Sequence, residues 1–465
     1  MKQYVSRRGV LAALMSGTAV ALTKGMLDKA GVNGGSAGEA RTAERKNALR
    51  ASQLEGQFFD AACNPLTEES TEPGPAAILQ PELWSWIIGY NNKFGVSGIR
   101  KTLRDAGYDV GDHVGARGAA CYLTLDTELQ ALAHELCIGD ARSCCVITDA
   151  DTGQLLAYIN HVSGVELNAN EMSDAWKAEA EASTSEYWYP VPTTTSMCGS
   201  TMKIVDAAAI LKAGVEQSYT DTGEYGNIHN HNNRVYGTVD LLESAKNSIN
   251  TYFSSKIAED VGYETWASTC QEFGINAGQE PMAEECIIRL ENGDTTAASQ
   301  QVAGEKAELA LAAIGQGKMQ VAPVTILRWI SAVISKSGGI YKLFCIHHLE
   351  QEDGTVVWEQ PEEIEPVSTP LAEEALHSEM QKVFSAAAEQ YGLYKAAPKA
   401  SLIVSKTGTA EIDPAADIND TYIAVGLRTA SGRNLAFILS RHGVQETSTA
   451  LLSVAKTLTE RLSRL

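Results

Sequence analysis

Two apolar stretches of this 465-residue chain lie about 260 residues apart: CCVITDADTGQLLAYI (144–159), and TYIAVGLR (421–428) with NLAFILSR (434–441). Both are rich in β-branched and aromatic residues. Each is interrupted by turn-forming sequence, Asp-Thr-Gly in the first and TASGR in the second. The pattern predicts two hairpins. Between them the chain is mainly helical in character. Strands at both ends with helices between imply an α/β unit whose sheet gathers distant parts of the chain. A helix is expected at LTLDTELQALAHELCIG, where Asp126 occupies the N-cap and Leu129, Leu132 and Leu136 follow at helical spacing. Thr449 opens a last, amphipathic helix.

The front of the chain differs in charge. Residues 1–50 hold nine Lys/Arg and three Asp/Glu, a net of +6, which leaves −27 on the remaining 415 of a chain whose net charge is −21. So acidic a body excludes nucleic acid as a partner, because phosphate binding needs a basic face. Lys2, Arg7 and Arg8 precede a 14-residue apolar run, Gly9 to Leu22, closed by Lys24. That is the length of a signal-peptide core, short of the ~20 residues that span a bilayer. Ser6-Arg7-Arg8 with Val10-Leu11 also resembles a twin-arginine export signal. Residues 1–30 are therefore expected to direct export to the extracytoplasmic face of the membrane, as a cleaved signal or a short anchor. Next come a flexible stretch, GVNGGSAGEA, a charged helical run, RTAERKNALRASQLEG (41–56), and a loop, TEESTEPGPAA (67–77). A new unit begins near Cys121, which divides the chain into 1–30, 31–118 and 119–465.

Nine cysteines (63, 121, 137, 144, 145, 198, 270, 286 and 345) are an odd number with no repeating spacing, and Cys144 and Cys145 are neighbours. Most sit in apolar runs, so they are expected to pack as small hydrophobes, with no functional disulfide. The chain has no CxxC pair. His229-Asn230-His231 lacks further ligands at recognisable spacing, so no metal or other cofactor is expected.

The chemistry is carried by CGSTMKIVDAAA (198–209). Ser200 opens the helix STMKIVDAAAILKAG, which Gly214 terminates, and Lys203 lies one turn on, on the same face. A charged lysine cannot take a proton from the serine hydroxyl. Burial or a neighbouring cation would leave it a neutral amine, able to act as general base. The first backbone amides of the helix also point to where an oxyanion would form. Downstream lie Ser248 and Asn250 in AKNSINTYF, and Lys406-Thr407-Gly408 in SLIVSKTGTAE. Two decoys repeat the spacings. Ser453 and Lys456 lie inside the last helix, and Lys336-Ser337-Gly338 precedes Gly339 in a turn.

The ordered set SxxK, SxN and KTG is the signature of penicillin-binding proteins and class A β-lactamases. The chain resembles a class B penicillin-binding protein over roughly residues 120–445, through LTLDTELQ, ITDADTGQLLAYI, GSTMK, the SxN block, IGQGKMQVAPVTIL (314–327) and KTGTAE. IIGYNNKFGVSGIR (87–100) resembles that family's linker. Cys198, Met202 and Tyr422 stand where the family usually has Pro, Phe and Trp. The resemblance implies an α/β fold of the serine β-lactamase type: a central antiparallel sheet flanked by helices, a helical subdomain, and a small N-terminal pedestal.

It also implies a D,D-transpeptidase that cross-links peptidoglycan stem peptides and is inhibited by β-lactams. Ser200 would be the nucleophile and Lys203 the base, with Ser248, Asn250 and Lys406 relaying the proton. Thr407 and Thr409 would meet the substrate carboxylate, and Gly408 would allow close backbone approach. The amides of Ser200 and Thr409 would form the oxyanion hole. A glycosyltransferase of the division or elongation machinery is the expected partner. The roughly 115 residues before the domain leave no room for such a domain in the chain itself. A D,D-carboxypeptidase or β-lactamase-like hydrolase shares this chemistry, and a catalytically silent scaffold would share only the fold.

Overall fold

The computed structural model describes residues 50–111, 115–137, 139, 141–162, 167–183, 190–277, 298–300 and 305–465. The basic head, with its apolar run and twin arginines, lies outside them, as does Cys286. No helix among the described residues is long and apolar enough to cross a membrane.

The two predicted hairpins meet in one antiparallel sheet. Its strands are β1 (Arg142–Asp149), β2 (Leu155–His161), β3 (Leu402–Asp413), β4 (Ile418–Arg428) and β5 (Asn434–Val444), in the order β3-β4-β5-β1-β2. The join is β5 with β1, where Phe437 pairs with Ile147 and Ile438 with Val146. The helices that shape the site are α1 (Thr127–Cys137), α2 (Lys203–Ala213), α3 (Leu241–Asn247), α4 (Asn250–Ser255), α5 (Pro323–Ile334), α6 (Glu374–Gln390) and α7 (Leu452–Leu462).

Alternate residues of the strands enter two different cores. Val146, Tyr158, Val404, Ala424 and Ile438 face α5, all twelve of whose residues are buried. Ile147, Ala157, Ile403, Val425 and Phe437 face the other way, onto Leu129 and Ala133 of α1 and Ala455 and Leu458 of α7. A sheet covered on both faces needs apolar side chains at most positions, which is why much of β1, β2, β4 and β5 reads as apolar runs. Truncating one fully buried aromatic such as Phe437 to alanine costs about 3–5 kcal/mol. Asp126 caps α1 as expected, its carboxylate accepting from the Leu129 amide at 2.9 Å.

A second sheet joins Phe58–Phe59, Ala120–Leu123, Ile346–Glu350 and Val356–Glu359. The N-terminal segment thus shares strands with residue 346 onward, and one apolar core runs from Phe58 and Trp84 to Ile438. Arg100 anchors this region: its guanidinium forks onto Glu55 with two 2.7 Å bonds and also donates to the Gly89 and Ala76 carbonyls. Of the charged run 41–56, expected as helix, residues 51–56 are not helical. Leu54 bridges to Arg117 and Gly74 instead, because its backbone is taken up by these neighbours.

Seven of the eight described cysteines are buried, and Cys63 is exposed. Cys144 and Cys145 point to opposite faces of β1, as adjacent strand residues must: Cys145 joins the α1 core, while Cys144 meets the Ser440 hydroxyl at 3.1 Å.

Candidate active site

Ser200 does not sit in an α-helical turn as expected. Gly199–Met202 form a 3-10 turn, and α2 starts at Lys203 and ends at Gly214, which is left-handed with φ 63°. In a 3-10 turn residues i and i+3 eclipse one another. That alignment brings Lys203 Nζ to 2.9 Å from Ser200 Oγ. Gly199 is itself left-handed, and a side chain there would strike the Thr409 carbonyl oxygen at 2.3 Å. The serine turn is therefore packed directly against β3, which is the edge strand of the sheet.

Three further elements converge on Lys203. Ser248 ends α3 in a left-handed conformation, φ 55° and ψ 45°, which is costly for a residue with a Cβ and turns its carbonyl and hydroxyl into the site. Lys203 Nζ lies 2.8 Å from the Ser248 carbonyl oxygen, 3.1 Å from its hydroxyl and 2.7 Å from Asn250 Oδ1 at the start of α4. From β3, Lys406 Nζ donates to Ser248 Oγ at 3.0 Å and to the Thr407 carbonyl at 2.8 Å. Ser248 Oγ thus bridges the two amines. Ser200, Lys203, Ser248, Asn250 and Lys406 form one connected network, drawn from residues spread over more than 200 positions.

Both lysines are fully buried. Burial first, then the charge of Lys406, holds Lys203 well below the ordinary lysine range, with Asp206 opposing. Burial alone brings Lys406 down to about 7. A neutral Lys203 has two hydrogens and one lone pair. Donating to the Ser248 carbonyl and Asn250 Oδ1 leaves the lone pair for the Ser200 hydroxyl, so the geometry accommodates the form that can accept a proton.

The remaining expected residues lie on β3. The Thr407 hydroxyl meets that of Tyr391 at 2.9 Å. Thr409 Oγ1 accepts from the Ser448 amide at 3.0 Å. Gly408 has a reason other than substrate approach: a Cβ there would lie 2.7 Å from the Cys198 carbonyl oxygen and 2.8 Å from Thr201 Cγ2. Its missing side chain admits the protein's own serine turn. His229 enters through its backbone, its carbonyl accepting from Asn250 Nδ2 at 2.9 Å. Among the described residues no group of His, Cys, Asp or Glu is placed to hold a metal. The decoys stay outside the network: Ser453 is exposed on α7, and Lys336 reaches Asp151 at 3.4 Å with its side chain 75% exposed.

Some functional neighbours were not legible beforehand. Asp206, one turn beyond Lys203, is buried and accepts from Trp266 Nε1 at 2.8 Å, while its other oxygen has no partner. Burial pushes its carboxyl well above the usual range. A lone acid in the apolar run IVDAAAIL was the available signal. Tyr391, whose hydroxyl meets that of Thr407, had none.

The family of the penicillin binding protein transpeptidase domain matches residues 143–463, and the chain belongs to that family. It is 26% identical over 318 residues to the peptidoglycan D,D-transpeptidase PbpA of Mycolicibacterium smegmatis, and 24% identical over 321 residues to its namesake from Mycobacterium tuberculosis. The match spans 63% of this chain and 61% of the relatives' length. Among solved structures, the D,D-transpeptidase domain of a peptidoglycan glycosyltransferase from Eggerthella lenta superposes with a TM-score of 0.73 at 20% identity, over 89% of this chain and 98% of that one. The penicillin G acyl-enzyme complex of penicillin-binding protein A from M. tuberculosis gives 0.71 at 16% identity, over 89% and 99%. The fold is that of a penicillin-binding transpeptidase domain.

Proposed function

We propose that the protein is a peptidoglycan D,D-transpeptidase acting through a Ser200 acyl-enzyme. The observation that carries this reading is the buried Lys203 amine 2.9 Å from Ser200 Oγ, with a second buried lysine behind it. Ser200 Oγ attacks the carbonyl carbon between the two terminal D-Ala residues of a stem peptide, and its proton passes to Lys203. The oxyanion forms against the amides of Ser200 and Thr409. Collapse breaks the peptide bond. The departing D-Ala nitrogen takes the proton back by way of Ser248, which lies between the two amines. An acceptor amine on a second stem peptide then attacks the ester, its proton leaving by the same route, and restores Ser200. The Thr407 hydroxyl, 2.9 Å from that of Tyr391, donates to the substrate carboxylate in this reading, and Lys406 supplies positive charge nearby.

A β-lactam follows the first half of this path and leaves an opened ring on Ser200. The relatives named as PbpA D,D-transpeptidases support the same reaction. Intact-mass spectrometry after exposure to penicillin tests it: the wild type should gain one penicilloyl adduct and Ser200→Ala none. A long-lived adduct supports the transpeptidase, whereas rapid release indicates a hydrolase. No adduct with penicillin unconsumed leaves only the scaffold. The basic head supports export, with the domain on the extracytoplasmic face beside a glycosyltransferase partner. Recovery of the full-length chain from the soluble cytoplasm would overturn that placement.

A further inference from the structure

The serine turn and β3 must be held at a fixed separation, because the two proposed oxyanion donors, Ser200 N and Thr409 N, belong to different elements. The residues entering the turn are gripped from beneath by β4 and β5. The Ser196 hydroxyl donates to Asp420 Oδ2 at 2.5 Å, and the Tyr422 hydroxyl donates to the Met197 carbonyl at 3.1 Å. Asp420 and Tyr422 pair across the sheet with Ala410 and Gly408, and so flank the row in which Thr421 pairs with Thr409. His442 on β5 braces both: its Nδ1 lies 3.1 Å from Asp420 Oδ2, and its ring packs edge-on against Tyr422 at 5.5 Å. Its other nitrogen meets Ser440 Oγ at 3.1 Å, and the Gly443 amide donates to the second Asp420 oxygen at 2.9 Å. Burial alone would raise the Asp420 carboxyl, but His442 and the bonds from Ser196 and Gly443 hold it below the ordinary carboxylate range. On its far side the Ser196 backbone pairs with Val321 in both directions, at 2.8 and 3.2 Å.

We infer that Asp420, His442 and Tyr422 form a positioning cluster that sets the Ser200 turn against Thr409 and thereby fixes the oxyanion hole. The inference rests on the serine acyl-transfer reading. None of the three touches substrate; they act through Ser196 and Met197. Misplacement by a fraction of an ångström weakens transition-state stabilisation more than ground-state binding. Loss of the cluster should therefore slow the acylation step and leave the preceding non-covalent binding nearly intact.

Rapid-mixing kinetics of the full chain with a fluorescent penicillin separate the two constants. For His442→Ala the acylation rate constant should fall ~10- to 100-fold while the binding constant stays within about twofold. His442→Asn, whose amide can still donate to Asp420, should recover most of the rate. An unchanged rate constant in His442→Ala, an equal loss in His442→Asn, or a matching loss of binding would overturn the inference. If His442→Ala fails to fold, Ser196→Ala deletes a single hydroxyl. It should still fold cooperatively and lose roughly threefold or more in rate, and an unchanged rate would be equally fatal. Wild type that never acylates removes the serine reading itself. Wild type that acylates beside unaffected variants removes only the cluster.

Discussion

Ser200–Lys203 and Ser453–Lys456 have the same spacing, both on or beside a helix, and only one is placed to do chemistry. Lys203 is fully buried, with four polar atoms around its amine and a second buried lysine nearby. Ser453 is exposed on the outer side of α7, where its hydroxyl competes with water. The KTG pair repeats the contrast: Lys406 is fully buried, and Lys336 lies at the surface against Asp151. Spacing supplies reach, but desolvation supplies reactivity. A lysine in water stays protonated whatever serine lies beside it.

The widest separation is expected at the nucleophiles. Ser200→Ala should abolish the penicillin adduct and Ser453→Ala should leave it unchanged, as read by intact mass; equal labelling of all three proteins would erase the distinction. Next come the bases. Lys203→Ala should slow acylation by ~10²–10⁴-fold, the usual contribution of a general base, whereas Lys456→Ala should match the wild type. Circular dichroism checks that the first variant still folds. For the KTG pair, Lys406→Ala should cut acylation by at least about tenfold, through loss of the Ser248 contact and the carboxylate's counter-charge. Lys336→Ala should not alter the rate, and equal losses would place the site on the wrong strand.

The smallest effect sharpens the comparison from the stability side. Lys406 has a folded pKa of about 7 against an ordinary 10.5. Between those values the unfolded chain binds a proton that the folded one does not, so stability rises as pH rises and is lowest at and below pH ~7. Lys406→Met should remove this part of the dependence and raise the urea midpoint at pH 7, with a flatter profile to pH 9.5. A variant as pH-dependent as the wild type would mean that the amine is hydrated after all.

The hairpins, the cap at Asp126 and the five polar residues of the Ser200 network were legible because each rests on local pattern or an ordered motif. The 3-10 start of the serine turn was not, since it depends on Gly199 meeting Thr409 more than 200 residues away. The grip of Asp420 on Ser196 spans 224 positions and obeys no spacing rule. Its one trace was a charged residue just before the apolar stretch Tyr422–Leu427 of its strand. Gly408 was legible as a tight spot, but whose backbone it admits could be settled only by the packing of Cys198 and Thr201 against it.

The strand order of the sheet bears on how the molecule comes into being. β5 lies between β4 and β1, so one of the last strands to be synthesised occupies an interior position. Until it arrives, the β1–β2 hairpin has no partner for its inner edge. Pairing across such sequence separations is slow, because loop closure must precede the contacts that repay it. Penicillin labelling during refolding should therefore lag behind helix formation and appear only with closure of the whole sheet. A chain stopped before Asn434 would hold every residue of the network but lack the strand that joins the two halves of the sheet.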